Sequence, residues 1–419
     1  MQKIKIFFLC DDIRAYSGVS IQANKLLKGL LKKGKYEIIH GAIAINHNKT
    51  PFKGESHNYF GIKVYDLPSY STKAGDWRIV DWIIQTERPD IVICFGDPRF
   101  FYYLFSRDNE IRTEAKLVLY HTWDNDPFPI YNIPSYDSCD HVVTISKLSH
   151  NLLKENGIEN TYIPHGYDPS EFYKLPQKTI KEEKENFFSQ LAKVYPEYSS
   201  SIDKIIFWNN RNMSRKRPLD LMRAYADYFL EHQNAILFMH TDPVSPSGSD
   251  LLSYHSSLEK GNLPIAFSSE PIDSQKLNML YNISDISVNI SSAEGFGLCV
   301  GESLLTTTPV LGTKTGGITE QLSDGNNDFG MLLSPLLRVL QGHPLTPYCY
   351  GDFVSTAQVQ QGFEFLLGSM GDLETKGEAG RLHIIENYHI DNTIAKWNSL
   401  LEKVQGEDSK FKKWKLISI

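Results

Sequence analysis

The sequence predicts an α/β protein built from two Rossmann-like, doubly wound domains, and three observations predict it. The chain has 419 residues, more than one ordinary core organises and about right for two domains of roughly 150 to 200 residues each. Short β-branched or aromatic runs alternate with helical patterns up to residue 165, as in a parallel sheet covered by helices. A second series of the same kind begins near residue 200.

In the first series the expected strands are Ile4–Leu9, Glu37–Ile45, Asp90–Phe95, Leu117–His121 and His141–Ile145. The run Ile4–Leu9, apolar but for Lys5, is too short for the core of a signal peptide or for a membrane span, so it reads as a buried strand. The clearest helix follows it. Ala23, Leu26, Leu27, Leu30 and Leu31 recur at i, i+3, i+4, i+7 and i+8, and Gly34 supplies a stop. Lys25, Lys28, Lys32 and Lys33 occupy its other face. Between 169 and 203 the periodicity breaks into Pro169, Pro176, the charge run Lys181–Glu185 and Ser199–Ser201, the composition of a linker. The first domain is therefore expected over 1–168 and the second over 204–389, with strands Lys204–Trp208, Ala235–Met239, Asp285–Ile290, Pro309–Gly312 and Phe329–Leu333. Residues 336–353 read as an ordered insertion, and Ile390–Val404 as an amphipathic helix within a C-terminal stretch, about 390–419, that returns to the first domain. Two such domains are expected to face each other across a cleft, because open α/β sheets bind ligands beyond their strand carboxyl ends.

Composition narrows the classes. Hydrophobic residues make up 41% and charged residues 22%, which excludes collagen-like and disordered chains. With 43 Lys plus Arg against 50 Asp plus Glu the net charge is -7. Capture of nucleic acid or anionic lipid by the molecule as a whole is disfavoured, and local basic patches stay open. Five scattered cysteines, none in a CxxC spacing, suit a reducing, cytoplasmic compartment better than a disulfide framework or a zinc site.

The strongest motif is SSAEGFGLCVGES, residues 291–303, directly after an expected strand. Gly295 and Gly297 let backbone N–H groups approach a phosphate, and the helix that follows favours its negative charge. Glu294 lies on the turn and Glu302 in the helix, so two carboxylates flank the anion site. The second motif is WNNRNMSRKRP, residues 208–218, again at a strand end. Arg211 and Lys216 can converge on one phosphate there, in a stretch that also holds Arg215 and Arg217. A third corner is Tyr16-Ser17-Gly18-Val19, between the first strand and the first helix. A fourth is YHTWDND, residues 120–126, which places His121 at a strand end. Its Asp124-Asn125-Asp126 imitates a DxD metal motif, but Arg211, Lys216 and the helix dipole already supply positive potential, so no metal is expected.

The EGFGLxxxE string resembles the Glu-x7-Glu motif of glycosyltransferase family 4, whose members are retaining enzymes of two-domain GT-B architecture. Residues 208–218 are similar to the family's GRxxxxK element, with Asn210 where a Gly is usual. In the N-terminal loop Ser17 replaces the first of two family glycines, so Gly18 alone is carried over. The segments 145–172, 280–291 and 309–322 extend the likeness, with His165 where Asn or His is usual and with Gly316, Gly317 and Glu320 beside the donor.

The resemblance implies a retaining glycosyltransferase that needs no metal or other cofactor and takes its sugar from a nucleoside diphosphate donor, UDP- or GDP-linked. Arg211, Lys216 and the N–H groups of Gly295, Phe296, Gly297 and Leu298 would hold the diphosphate. Glu302 would bind the ribose and Glu294 a sugar hydroxyl, His121 would contact the sugar near its reacting carbon, and Gly18 would approach the phosphate or the acceptor. Base recognition is expected near Ser268–Ile272. The alternatives are a nucleotide-sugar epimerase of the same architecture and a non-catalytic nucleotide-sugar binding protein. The acceptor stays open: a glycan, a lipid-linked glycan, a protein or a nucleic-acid base. The tail 409–419, with Lys410, Phe411, Lys412, Lys413, Trp414 and Lys415, together with the lysine face of the first helix, would suit peripheral contact with an anionic membrane.

Overall fold

The computed structural model describes residues 3–43, 52–68, 76–258, 263–343, 346–368 and 370–407. Its contacts divide the chain into two compact units. The first comprises Met1–Gly166, Gly342–Tyr348 and Ile390–Ile419, and the second Tyr167–Gln341 and Cys349–His389. The tail 409–419, expected to meet a membrane, lies outside the described residues.

The first unit is built on eight strands: β1 (Ile4–Asp11), β2 (Tyr36–Ile43), β3 (His57–Tyr59), β4 (Ile62–Asp66), β5 (Ile91–Gly96), β6 (Lys116–His121), β7 (His141–Thr144) and β8 (Thr161–Tyr162). Their order is β3-β4-β2-β1-β5-β6-β7-β8, parallel except for the β3–β4 pair. β1 is central, with Ile6 opposite both Ile38 and Ile91, and Ile6–Cys10 are fully buried. Helices cover both faces of such a strand, which is why its sequence is a continuous apolar run. The helix Gly18–Lys32 takes Ser17 as its N-cap and packs on Ile390–Gly406. Gly29 permits that approach, since a Cβ there would meet Ile394 Cγ1 at 2.7 Å.

The second unit carries β9 (Lys204–Asn209), β10 (Ala235–His240), β11 (Ile265–Ser268), β12 (Ile286–Asn289), β13 (Val310–Thr313) and β14 (Met331–Leu333). All are parallel, in the order β11-β10-β9-β12-β13-β14. The chain reverses its direction of travel across the sheet between β9 and β12, which makes their carboxyl ends a topological switch point. The ten strands expected from sequence coincide with ten of these to within a residue or two. β3, β4, β8 and β11 are additional.

The stretch 169–203, expected as a linker, carries the helix Gln177–Val194. Phe187, Phe188 and Leu191 pack on the second core, and Lys184 reaches Asp285 at 2.7 Å. None of this helix is fully buried, so its periodicity is faint in sequence. Residues 336–353 form a separate two-stranded sheet, β15 (Leu337–His343) and β16 (Thr346–Phe353).

Candidate active site

The two strongest motifs follow β9 and β12, and these strands are hydrogen-bonded neighbours, with Ile286 opposite Ile206. Adjacent parallel strands end side by side, so the loops 210–217 and 290–297 emerge together at the switch point. They interlock. The Ser292 N–H donates to the Arg215 carbonyl at 2.8 Å, and the Arg215 guanidinium donates to the Ala293 carbonyl at 2.9 Å.

The structure separates the tasks of the two cations that sequence pairs. Lys216 is buried and its ammonium is bound to the Glu294 carboxylate, which also accepts from Arg215 at 3.4 Å and from the Ser291 hydroxyl at 3.2 Å. Arg211 is exposed and has no partner among the described residues. Burial alone would raise the Glu294 carboxyl, but the charges of Lys216 and Arg215 and the hydrogen bonds from Lys216 and Ser291 hold it below its ordinary range. Glu294 is therefore a carboxylate at neutral pH, and its partner is Arg215 where the motif emphasises Arg211.

Asn210, in place of the usual glycine, needs no left-handed backbone. Its Nδ2 is buried and has no partner among the described residues. The next residue but one, Asn212, was not singled out by sequence. It is buried, accepts the Ser249 N–H at 3.0 Å and donates to the Ser249 carbonyl at 2.7 Å, pinning the basic loop to the segment that follows β10.

Gly297 caps the helix Leu298–Leu305 with φ 87°, a left-handed conformation that a side chain would strain. It offers no side-chain cap; the Val300 N–H donates to the Gly297 carbonyl at 3.0 Å, and the N–H groups of Leu298 and Cys299 begin the helix ahead of it. Gly317 donates its N–H to the Glu294 carbonyl at 3.0 Å, and a Cβ on it would lie 2.5 Å from Phe296 Cα. Its missing side chain thus serves the packing of the loop. Phe296 itself is buried and stacks on Tyr167. Glu302 is buried and accepts from the Tyr281 hydroxyl at 2.9 Å, which in turn accepts from Asn209 Nδ2 at 3.0 Å. That chain links the helix after β12 to the last residue of β9; sequence singled out neither Asn209 nor Tyr281 as a site residue. Glu320 is buried in the helix Gly316–Leu322. Near the expected base region, His240 at the end of β10 meets the Ser268 hydroxyl at 3.2 Å.

In the first unit, Ser17 has a capping task. Its hydroxyl accepts the Ser20 N–H at 3.1 Å and donates to Asp11 at 2.8 Å, and Gly18 opens the helix. His121 ends β6, fully buried, with Nε2 at 3.4 Å from the Tyr136 hydroxyl and Nδ1 without a partner among the described residues. Burial, assisted by the Arg99 charge, lowers it to about 3, so the imidazole is neutral. His165 is likewise buried, bound to the Tyr120 hydroxyl at 2.9 Å and pushed down to about 3. Among the described residues, the side chains with metal-ligand spacing are the exposed Glu231, His232 and Glu364, not Asp124 and Asp126.

The class defined by these features is a protein of two doubly wound α/β units, with the loops 210–217 and 290–297 side by side at the switch point of the second. Solved structures share this fold across nearly the whole chain. The sucrose-phosphate synthase of Thermosynechococcus elongatus superposes with a TM-score of 0.69 at 13% identity, covering 96% of this chain and 99% of its own. HepE of Anabaena, in complex with UDP and glucose, gives 0.69 at 15% identity over 96% of this chain and 100% of its own. A glycosyltransferase from Rickettsia africae gives 0.68 at 20% identity over 97% and 100%. The fold is thus that of the GT-B glycosyltransferases. No family model and no curated protein matches the sequence.

Proposed function

We propose that the protein is a glycosyltransferase that takes a sugar from a nucleoside diphosphate donor bound at the switch point of the second unit. The observation that carries this reading is the pair of interlocked loops there. A buried Lys216–Glu294 pair, the partnerless Arg211, the open Asn210 amide and an uncapped helix N-terminus all lie on one β9–β12 corner. Departure of a diphosphate builds negative charge, and preorganised donors of this kind stabilise it. The Lys216 ammonium has three N–H donors, so it can hold Glu294 and a phosphate oxygen together. Arg211 is a free bidentate fork. Glu302, oriented by Tyr281, is the acceptor for ribose hydroxyls, and Glu294 for a sugar hydroxyl. His121 enters as a neutral hydrogen-bonding group.

The likeness of the motifs to glycosyltransferase family 4 supports retention of configuration without an enzyme nucleophile or a metal. HepE, which was solved with UDP, makes UDP the first nucleotide to try. A thermal-shift screen with UDP, GDP, ADP and CDP, followed by donor hydrolysis with the best stabiliser, tests the assignment. Stabilisation by none of the four would overturn it. Interconversion of the donor sugar without any acceptor would replace it with an epimerase, and activity abolished by chelator and restored by manganese would reinstate a metal.

A further inference from the structure

The sheet β15–β16 belongs to none of the motifs that point to the donor site, yet its stem is tied to that site. Asp352, 5% exposed, is the hub. Its N–H donates to the Ser292 carbonyl at 2.7 Å. Its carboxylate accepts the Thr315 hydroxyl at 2.7 Å on one oxygen and the Arg338 Nε–H at 3.0 Å on the other. Thr315 precedes Gly316 and Gly317, and Gly317 holds the Glu294 carbonyl, so this one residue grips the glycine loop from both sides. The next residue, Phe353, carries the Arg217 guanidinium 4.7 Å over its ring. Arg217 closes the basic turn in a left-handed conformation, φ 57°, which a non-glycine residue adopts only when its surroundings hold it.

We propose that the stem of this sheet is a brace for the donor loops and that Asp352 is its positioning residue, an inference that rests on reading residues 290–297 as the diphosphate site. A loop without regular structure presents its N–H groups to a ligand only if neighbouring groups fix it to a fraction of an ångström. Ser292 and Thr315 are fixed by Asp352, and Arg217 by Phe353. Asp352 touches no donor; it sets the geometry of residues that do.

The test compares UDP affinity by calorimetry, donor KM and ligand-free melting temperature in Asp352→Ala, Asp352→Asn and Arg338→Ala. The brace requires Asp352→Ala to weaken UDP binding and raise donor KM about tenfold at a temperature where it remains folded. Asp352→Asn, which keeps an acceptor for Thr315 and the backbone N–H, recovers most of the loss. A purely structural role would lower the melting temperature and leave UDP affinity unchanged in the folded protein, and that result overturns the proposal. If Asp352→Ala does not fold, Arg338→Ala, which cuts the tie between Asp352 and β15, decides: the brace requires weakened UDP binding, and wild-type UDP affinity overturns it. Failure of the wild-type protein to bind UDP, GDP, ADP or CDP removes the donor-site reading and the brace together, whereas UDP binding untouched by the substitutions removes only the brace.

Discussion

At the scale of single residues, Arg211 and Lys216 carry the same charge in the same motif but are expected to respond differently to substitution. Lys216→Ala leaves Glu294 buried with Arg215 and Ser291 alone, and breaking such a pair costs about 3 kcal/mol of stability. A Lys216→Met, Glu294→Gln double variant regains much of that in urea unfolding, since neither partner is then an unpaired charge. Arg211→Ala removes an exposed side chain with no partner, so its melting temperature stays at the wild-type value while sugar transfer falls by about one to three powers of ten. Wild-type transfer in Arg211→Ala would remove Arg211 from the phosphate site. The Glu294 carboxyl is lowered in the folded state, so its contribution is complete above the ordinary carboxyl value of about 4.3 and is lost as pH falls through the lowered folded value. In Lys216→Ala the folded value rises, because burial is then opposed by Arg215 and Ser291 alone, so this acid-sensitive contribution shrinks. The two cations were legible as a pair in sequence, but only burial distinguishes a lysine occupied by a carboxylate from an arginine left open.

At the scale of elements, most strands that sequence identified are buried on both faces, where a run such as Ile6–Cys10 has no polar residue to interrupt it. The strands it missed are short or lie at or near the sheet edges: β3 and β8 have three and two residues, and β11 has four. Edge strands bury less and leave a weaker pattern. The adjacency of β9 and β12 was not legible either, because local pattern does not specify which strands pair across a crossover; yet that adjacency is what brings Arg215 to Glu294. The glycine loop was legible because its backbone demands are local. Gly297→Ala tests this directly. A side chain at φ 87° costs about 1 to 2 kcal/mol and tilts the start of the helix Leu298–Leu305. The expected outcome is UDP affinity lowered about tenfold, with native circular dichroism. Unchanged affinity would show that the helix N-terminus does not hold the diphosphate.

At the scale of the whole molecule, the net charge of -7 says little about response to pH, because three histidines lowered by burial dominate the acid side of neutrality. His40, His121 and His165 all belong to the first unit, and burial lowers them to about 4, about 3 and about 3. His40 accepts the Ile13 N–H at 3.3 Å through Nε2, with Nδ1 at 3.0 Å from the Phe8 carbonyl, so protonation would set one N–H against another. In the unfolded chain each histidine takes up a proton near pH 6.5. Between that value and the folded values the unfolded state binds protons the folded state does not, so stability falls as pH falls through this window. Each histidine contributes about 1.4 kcal/mol per pH unit once well inside the window, and the three together about 4 kcal/mol per unit. Amide hydrogen exchange should therefore show the β1, β5 and β6 amides losing protection between about pH 6.5 and 4.5 before those of β9 and β12. In the second unit, burial also lowers His240, but that ring is only half-buried. His165→Gln, which keeps a hydrogen-bonding partner for Tyr120 and cannot titrate, should reduce the slope by about one third while leaving UDP affinity intact. Equal acid sensitivity of the two sheets, or a slope unchanged in His165→Gln, would show that these imidazoles find water or a counter-charge in the folded protein.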